Sequence, residues 1–192
     1  MNYSELYKTI RRDPSVVGVY DGMKDEYYYL LDKKELENSS IISGSFNPIH
    51  DSHWAFYNRT KKTFFEISLS RWGKEFLEEG ELKNRLQQFK GKASVLITNA
   101  PRFITKAGLF HSLNIVYLMG ADTMQRMVDD YGEVGIAGIA GSFFVRDRIV
   151  KGIRLTKELV FVSGLPYNVT WESDIPENLL SINSTDIRNA KL

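Results

Sequence analysis

The sequence predicts an α/β fold: a Rossmann-like, doubly wound parallel sheet with a short N-terminal extension. Three observations point there. From Ile41 onward, apolar strand-like runs alternate with helical ones, the pattern of parallel strands joined by crossover helices. Small polar residues gather where three of those strands stop, at Gly44-Ser45, Thr98-Asn99 and Gly120-Ala121-Asp122. No repeat or low-complexity linker interrupts the chain, so one domain over residues 41–192, preceded by an addition of residues 1–40, accounts for all 192 residues.

Within the addition, YSELYKTIRR from Tyr3 reads as a short helix. SVVGVYDG and EYYYLLD flank a Gly/Lys/Asp turn and are expected to form a hairpin, followed by the polar connection KKELENSS. This addition is read as a hairpin for self-association, giving a homo-oligomer, or as a small regulatory element. The domain then opens with SIISGSF, an apolar strand ending in glycine. Pro48 and Asp51 start a helix that runs through Trp54, Ala55 and Tyr57. TFFEISLS alternates as a strand. EGELKNRLQQFKG sets Leu82, Leu86 and Phe89 at helical spacing and stops at Gly91. ASVLITN and NIVYLMG are strands, ADTMQRMVDDYG is a helix, and GSFFVRD, ELVFVSGL and LLSINSTDIRNAKL complete the chain. Ligands of such sheets lie beyond the carboxyl ends of the strands, where strand order reverses. The small residues at three strand ends therefore predict a nucleotide-type site.

Composition narrows the classes. Hydrophobic residues at 43% and charged residues at 26% are ordinary for a globular protein with a sizeable core. The absence of cysteine excludes disulfides, thiolate metal sites and a cysteine nucleophile. A formal charge of +1 provides no basic field for nucleic acid. No leader-like apolar core and no run of about 20 apolar residues is present, so the expectation is a cytoplasmic protein without membrane attachment.

The chemistry concentrates in GSFNPIHDSH, residues 44–53, which holds two of the three histidines. A strand ending in glycine lets the backbone approach a ligand closely. Pro48 stiffens the turn, and His50 and His53, three apart, share one face of the first helical turn. N–H groups at a helix start favour an anion. The combination describes a phosphate pocket with two imidazole donors. The competing readings are a pair of capping or core histidines, and a zinc site that would lack a third ligand.

These residues resemble the signature of the HxGH nucleotidylyltransferases, G-[ST]-F-[DN]-P-x-H-x-G-H. INSTDIR, Ile182 to Arg188, resembles the late family signature I-S-S-T-x-I-R, and MGAD, with Gly120 and Asp122, resembles the glycine-x-aspartate element after the fourth strand. FFEISLS, VLITNAPRFITKAGLF and YLMGADTMQRM resemble the nicotinamide (nicotinic acid) mononucleotide adenylyltransferases within that superfamily. Two positions depart from the signatures: Ser52 replaces the glycine between the histidines, and Asn183 replaces the first serine of the late motif.

The resemblance implies that an acceptor phosphate attacks the α-phosphorus of a nucleoside triphosphate and pyrophosphate leaves. A phosphate with a second pKa of about 6 is already anionic at neutral pH, so no general base is needed. Catalysis then comes from positioning and charge stabilisation. The resemblance casts His50, His53 and Arg188 as the catalytic set, with the histidines on the triphosphate and Arg188 on its β- and γ-phosphates. Gly44, Ser45, Phe46, Gly120, Asp122, Asn183, Ser184 and Thr185 would bind ATP, Asp122 serving beside the adenosine or as a helix N-cap. On the acceptor side stand Thr98, Asn99, Arg102, Lys106 and Trp72, with Phe103 and Phe143 as further candidates to stack on a pyridine, or else as core. Arg146 and Arg148 are expected either at the triphosphate or as a solvated pair, and His111 as a surface or packing residue. Magnesium is implied as the companion of ATP, held by phosphate oxygens and water rather than by protein ligands. The partners are thus ATP and a phosphorylated small molecule. Phosphopantetheine as acceptor, CTP as donor, or a sensor that binds nucleotide without chemistry are the alternatives.

Overall fold

The computed structural model describes residues 1–70, 75–182 and 184–190. The chain is an α/β protein built on an eight-stranded, mostly parallel sheet. In chain order its elements are α1 (Tyr3–Arg12), β1 (Gly18–Asp21), β2 (Glu26–Tyr29), β3 (Ser40–Ser43), α2 (Asp51–Tyr57), β4 (Thr63–Ser68), α3 (Glu79–Gln87), β5 (Ser94–Thr98), α4 (Phe103–Leu109), β6 (Val116–Gly120) and α5 (Ala121–Ala137). There follow β7 (Ser142–Arg146), the small hairpin β8 (Arg148–Val150) and β9 (Ile153–Leu155), α6 (Lys157–Val160), β10 (Val169–Glu172), α7 (Glu177–Leu180) and α8 (Ser184–Asn189). The sheet runs β10-β7-β6-β3-β4-β5-β1-β2.

Strands β3, β4, β5, β6, β7 and β10 pair in parallel, and β1 and β2 continue the sheet antiparallel beyond β5. Both faces are covered. Leu6, Tyr7 and Ile10 of α1, Phe56 of α2, and Leu82 and Leu86 of α3 pack on one face against Tyr20, Ile42, Phe65, Val95 and Ile97. Ala107 of α4 and Met124, Met127 and Ile136 of α5 pack on the other against Val19, Ile41, Leu96, Tyr117 and Phe143. Adjacent strand residues thus serve opposite cores, Ile41 and Ile42 being one such pair. Residues 1–31 are part of this construction, since α1 and the hairpin complete the sheet edge and one of the two cores.

The connections β3→β4→β5 step one way along the sheet and β6→β7→β10 step the other. The order therefore reverses between β3 and β6, and the carboxyl ends of those strands are Ser43-Gly44 and Gly120. The hairpin β8–β9 and strand β10 are not distinguished by sequence pattern, being only three or four residues long. No helix among the described residues is long and apolar enough to cross a membrane.

Candidate functional site

The strand reversal is bordered first by the loop from Gly44 to Ile49. Gly44 N donates to the Glu66 carbonyl at 3.0 Å, and a Cβ at residue 44 would meet the Phe46 ring at 2.8 Å. Glycine is required here by the loop's own packing: the Phe46 ring folds beneath it and is buried edge-on against Phe65, Phe89 and His53. Arg85 of α3 and Gln88, the residue that caps its end, hold the outer course of the loop. Arg85 Nη1 donates to the Ser45 carbonyl at 2.8 Å and also pairs with Glu81. Gln88 Nε2 donates to the Phe46 carbonyl at 2.9 Å, while its Oε1 accepts from Ile49 N at 3.0 Å.

His50 is the N-cap of α2 and His53 lies one turn in. Their rings stack with centroids 3.7 Å apart, and His50 N donates to His53 Nδ1 at 3.3 Å. That bond leaves the neutral His53 ring with its proton on Nε2, a donor. His50 Nδ1 is buried without a hydrogen-bond partner. Burial, and then the Arg148 guanidinium, push His50 down to about 4. Burial, followed by His50 and Arg148, pushes His53 down to about 3. Both rings are therefore neutral at pH 7.

Arg148, the first residue of β8, faces the histidines. Its Nη1 donates to Ser52 Oγ at 3.0 Å, its Nη2 donates to the Ile182 carbonyl, and its Nε stands 3.7 Å from Asp122 Oδ1. Arg188 of α8, exposed, donates through Nη1 to the Asn47 carbonyl, 141 positions earlier in the chain. His50, His53, Ser52, Asp122, Arg148 and Arg188 thus meet around the β3–α2 junction. Gly120 caps α5, and a Cβ there would meet Asp122 Oδ1 at 2.7 Å. Asp122 lies in the first turn of α5 and pairs with Arg148, so the N-cap alternative for it does not apply.

The residues expected on the acceptor side divide. Thr98 and Lys106 turn inward to Glu66, a fully buried carboxylate of β4. Thr98 Oγ1 donates to Glu66 at 2.5 Å; Lys106 Nζ donates to both Glu66 oxygens at 3.0 and 2.8 Å and to the Ala100 carbonyl at 2.9 Å. The polar atoms of these two side chains, expected at an acceptor, are occupied in the interior. Phe143 is likewise core, buried and stacked on Tyr117, and Phe103 packs edge-on against the same ring. Asn99 Nδ2 donates to the Arg11 carbonyl at 3.2 Å, and Arg102 caps α4 with its N–H on Thr105 Oγ1 at 3.1 Å. Arg146 is held by Glu172 at 2.5 Å and lies over the Phe56 ring, so it is not part of a solvated pair with Arg148. His111 is exposed, its Nδ1 donating to the Gly108 carbonyl at 3.2 Å. Trp72 and Asn183 lie outside the described residues, as do the side chains of Ser184 and Thr185.

Glu66, Arg85 and Gln88 were not found from sequence. Arg85 and Gln88 carried a usable signal, since they fall three apart among Leu82, Leu86 and Phe89 on the buried side of α3. Among the described residues, no group of three His, Cys, Asp or Glu is spaced to hold a metal ion. No family model matches the chain, and no curated protein matches it either.

Proposed function

We propose that this protein is a nucleotidylyltransferase of the HxGH kind, transferring AMP from ATP to the phosphate of nicotinamide or nicotinic acid mononucleotide and releasing pyrophosphate. The observation that carries the reading is the convergence of the stacked His50–His53 pair with two arginines, Arg148 and Arg188, at the sheet's reversal point. Crevices at such reversals are where open α/β sheets bind ligands.

In the proposed reaction an acceptor phosphate oxygen forms a bond to the α-phosphorus while the bond from that phosphorus to the bridging oxygen of the leaving pyrophosphate breaks. No proton must be removed from the nucleophile, so the neutral imidazoles act as hydrogen-bond donors and not as bases. His53 Nε2–H is the donor defined by the bond on its Nδ1. Arg188 supplies positive charge for the triphosphate, and Arg148 adds its field from beside the histidines. Magnesium would come with ATP and neutralise part of its phosphate charge, held by substrate and water oxygens. On the acceptor side Arg102 remains as a cation candidate for the mononucleotide phosphate.

The test is a panel of acceptors, the amide and acid mononucleotides and phosphopantetheine, each with MgATP or MgCTP and with pyrophosphate release as the readout. Turnover is expected with ATP and a pyridine mononucleotide, and His53→Ala should lower it by about 10²–10³-fold. Preference for phosphopantetheine or CTP would reassign the substrate. A nucleotide-binding sensor is the second reading, favoured by one feature: Ser52, with the Arg148 contact it accepts, stands where the signature has glycine. MgATP binding with no turnover on any acceptor would decide for the sensor.

A further inference from the structure

We propose that Ser52 and Arg148 form a positioning pair that ties the C-terminal segment carrying Arg188 to the helix carrying the two histidines. The inference rests on the reading of this crevice as a triphosphate site and adds to it a device made of this chain's own departure from the signature.

The geometry is that of a three-way clamp. The Arg148 guanidinium reaches α2 through Ser52 Oγ at 3.0 Å, α5 through the Asp122 carboxylate at 3.7 Å, and the approach to α8 through the Ile182 carbonyl. Its planar fork allows these contacts together, which an ammonium on a flexible stem does not. The side chain is 13% exposed, so water does not readily replace a lost partner. Ser52 is 8% exposed on the inner side of α2, two residues past His50 and one before His53. Six residues after Ile182, Arg188 bonds to Asn47 in the histidine loop. The segment is therefore fastened at its base by Arg148 and at its far end by Arg188. Glycine at position 52 would remove the hydroxyl and leave the guanidinium to Asp122 and the carbonyl alone.

Two consequences separate positioning from plain packing. First, in the ligand-free full-length protein, amide exchange over residues 177–190 should be about tenfold faster in Ser52→Ala and Arg148→Lys, and close to wild type in Ser52→Thr, which keeps the hydroxyl. Second, calorimetry with MgATP should show binding weakened about five- to tenfold by Ser52→Ala, but not weakened further when the same change is made in Arg188→Ala, because the serine acts through that arginine. With turnover as readout, the loss should fall on KM for ATP with kcat little changed, since a loosened grip affects ground and transition states alike.

Unchanged exchange in both Ser52→Ala and Arg148→Lys overturns the proposal, and so do binding losses that simply add. If the wild type binds no MgATP, it is the triphosphate reading that falls, and the exchange measurement alone then decides whether the clamp exists. Should Ser52→Ala fail to fold, the comparison of Arg148→Lys with Ser52→Thr decides the question by the same exchange readout.

Discussion

Glu66 has no exposed surface, yet it carries a carboxylate at the centre of a closed network of Lys106 and Thr98. Two charges taken out of water are tolerated because the ammonium bonds both oxygens and the Ala100 carbonyl as well. Removing one partner strands the other. Lys106→Met is expected to destabilise the fold by about 3–5 kcal/mol in urea unfolding, and adding Glu66→Leu to it should restore most of that loss. Burial and the nearby Glu66 carboxylate also raise the Tyr117 hydroxyl above its ordinary value, so it stays protonated in this interior. In the alternating TFFEISLS, Glu66 shares one side of β4 with Phe64 and Ser68, and because helices cover both faces of this sheet that polar side is interior too.

At the scale of the element, the start of α2 is where backbone, charge and chemistry coincide. His50 serves as N-cap and His53 accepts from its backbone, an arrangement that requires His53 Nδ1 to be unprotonated. Protons bind both histidines more readily in the unfolded chain, near 6.5, than in the fold, where burial and Arg148 hold them at about 4 and about 3. The unfolded state therefore binds more protons in that interval, and stability rises with pH across it. The contribution of the neutral pair is complete above about pH 6.5 and is lost as the pH falls toward 4 and then 3. Thermal melts should show the midpoint falling between pH 7 and pH 4, with a smaller fall in a His50→Gln/His53→Gln variant. The two histidines were conspicuous in GSFNPIHDSH; the Arg85 and Gln88 side chains that hold the loop's carbonyls were not, because periodicity marks which face is buried but not which polar group ends on which backbone atom.

For the whole molecule, the sheet is continuous from β10 to β2, and residues 1–31 occupy one of its ends. Leu6, Tyr7, Ile10, Val19 and Tyr20 are all buried. Each buried side chain of this size contributes about 1.5–3 kcal/mol, against a typical net stability of about 5–15 kcal/mol. A chain lacking residues 1–31 would lose these groups and leave the β5 edge unpaired. It is expected to show no cooperative transition in a circular-dichroism melt, whereas full-length protein shows one. Survival of a sharp transition would mean that the remaining strands carry the fold alone.

The strand–helix alternation, the strand ends rich in small residues and the histidine-bearing loop were legible in the linear order of residues, because local periodicity and turn chemistry act over a few neighbours. What tertiary structure decided is which distant groups meet. Only the strand order places Gly44 beside Gly120, only folding turns Lys106 away from solvent onto Glu66, and only the return of the C-terminal segment brings Ile182 to Arg148 and Arg188 to Asn47. Such hydrogen-bonded pairings span 34 to 141 positions, and they depend on competition for space and for hydrogen-bond partners in a shared interior, which no short window of sequence contains.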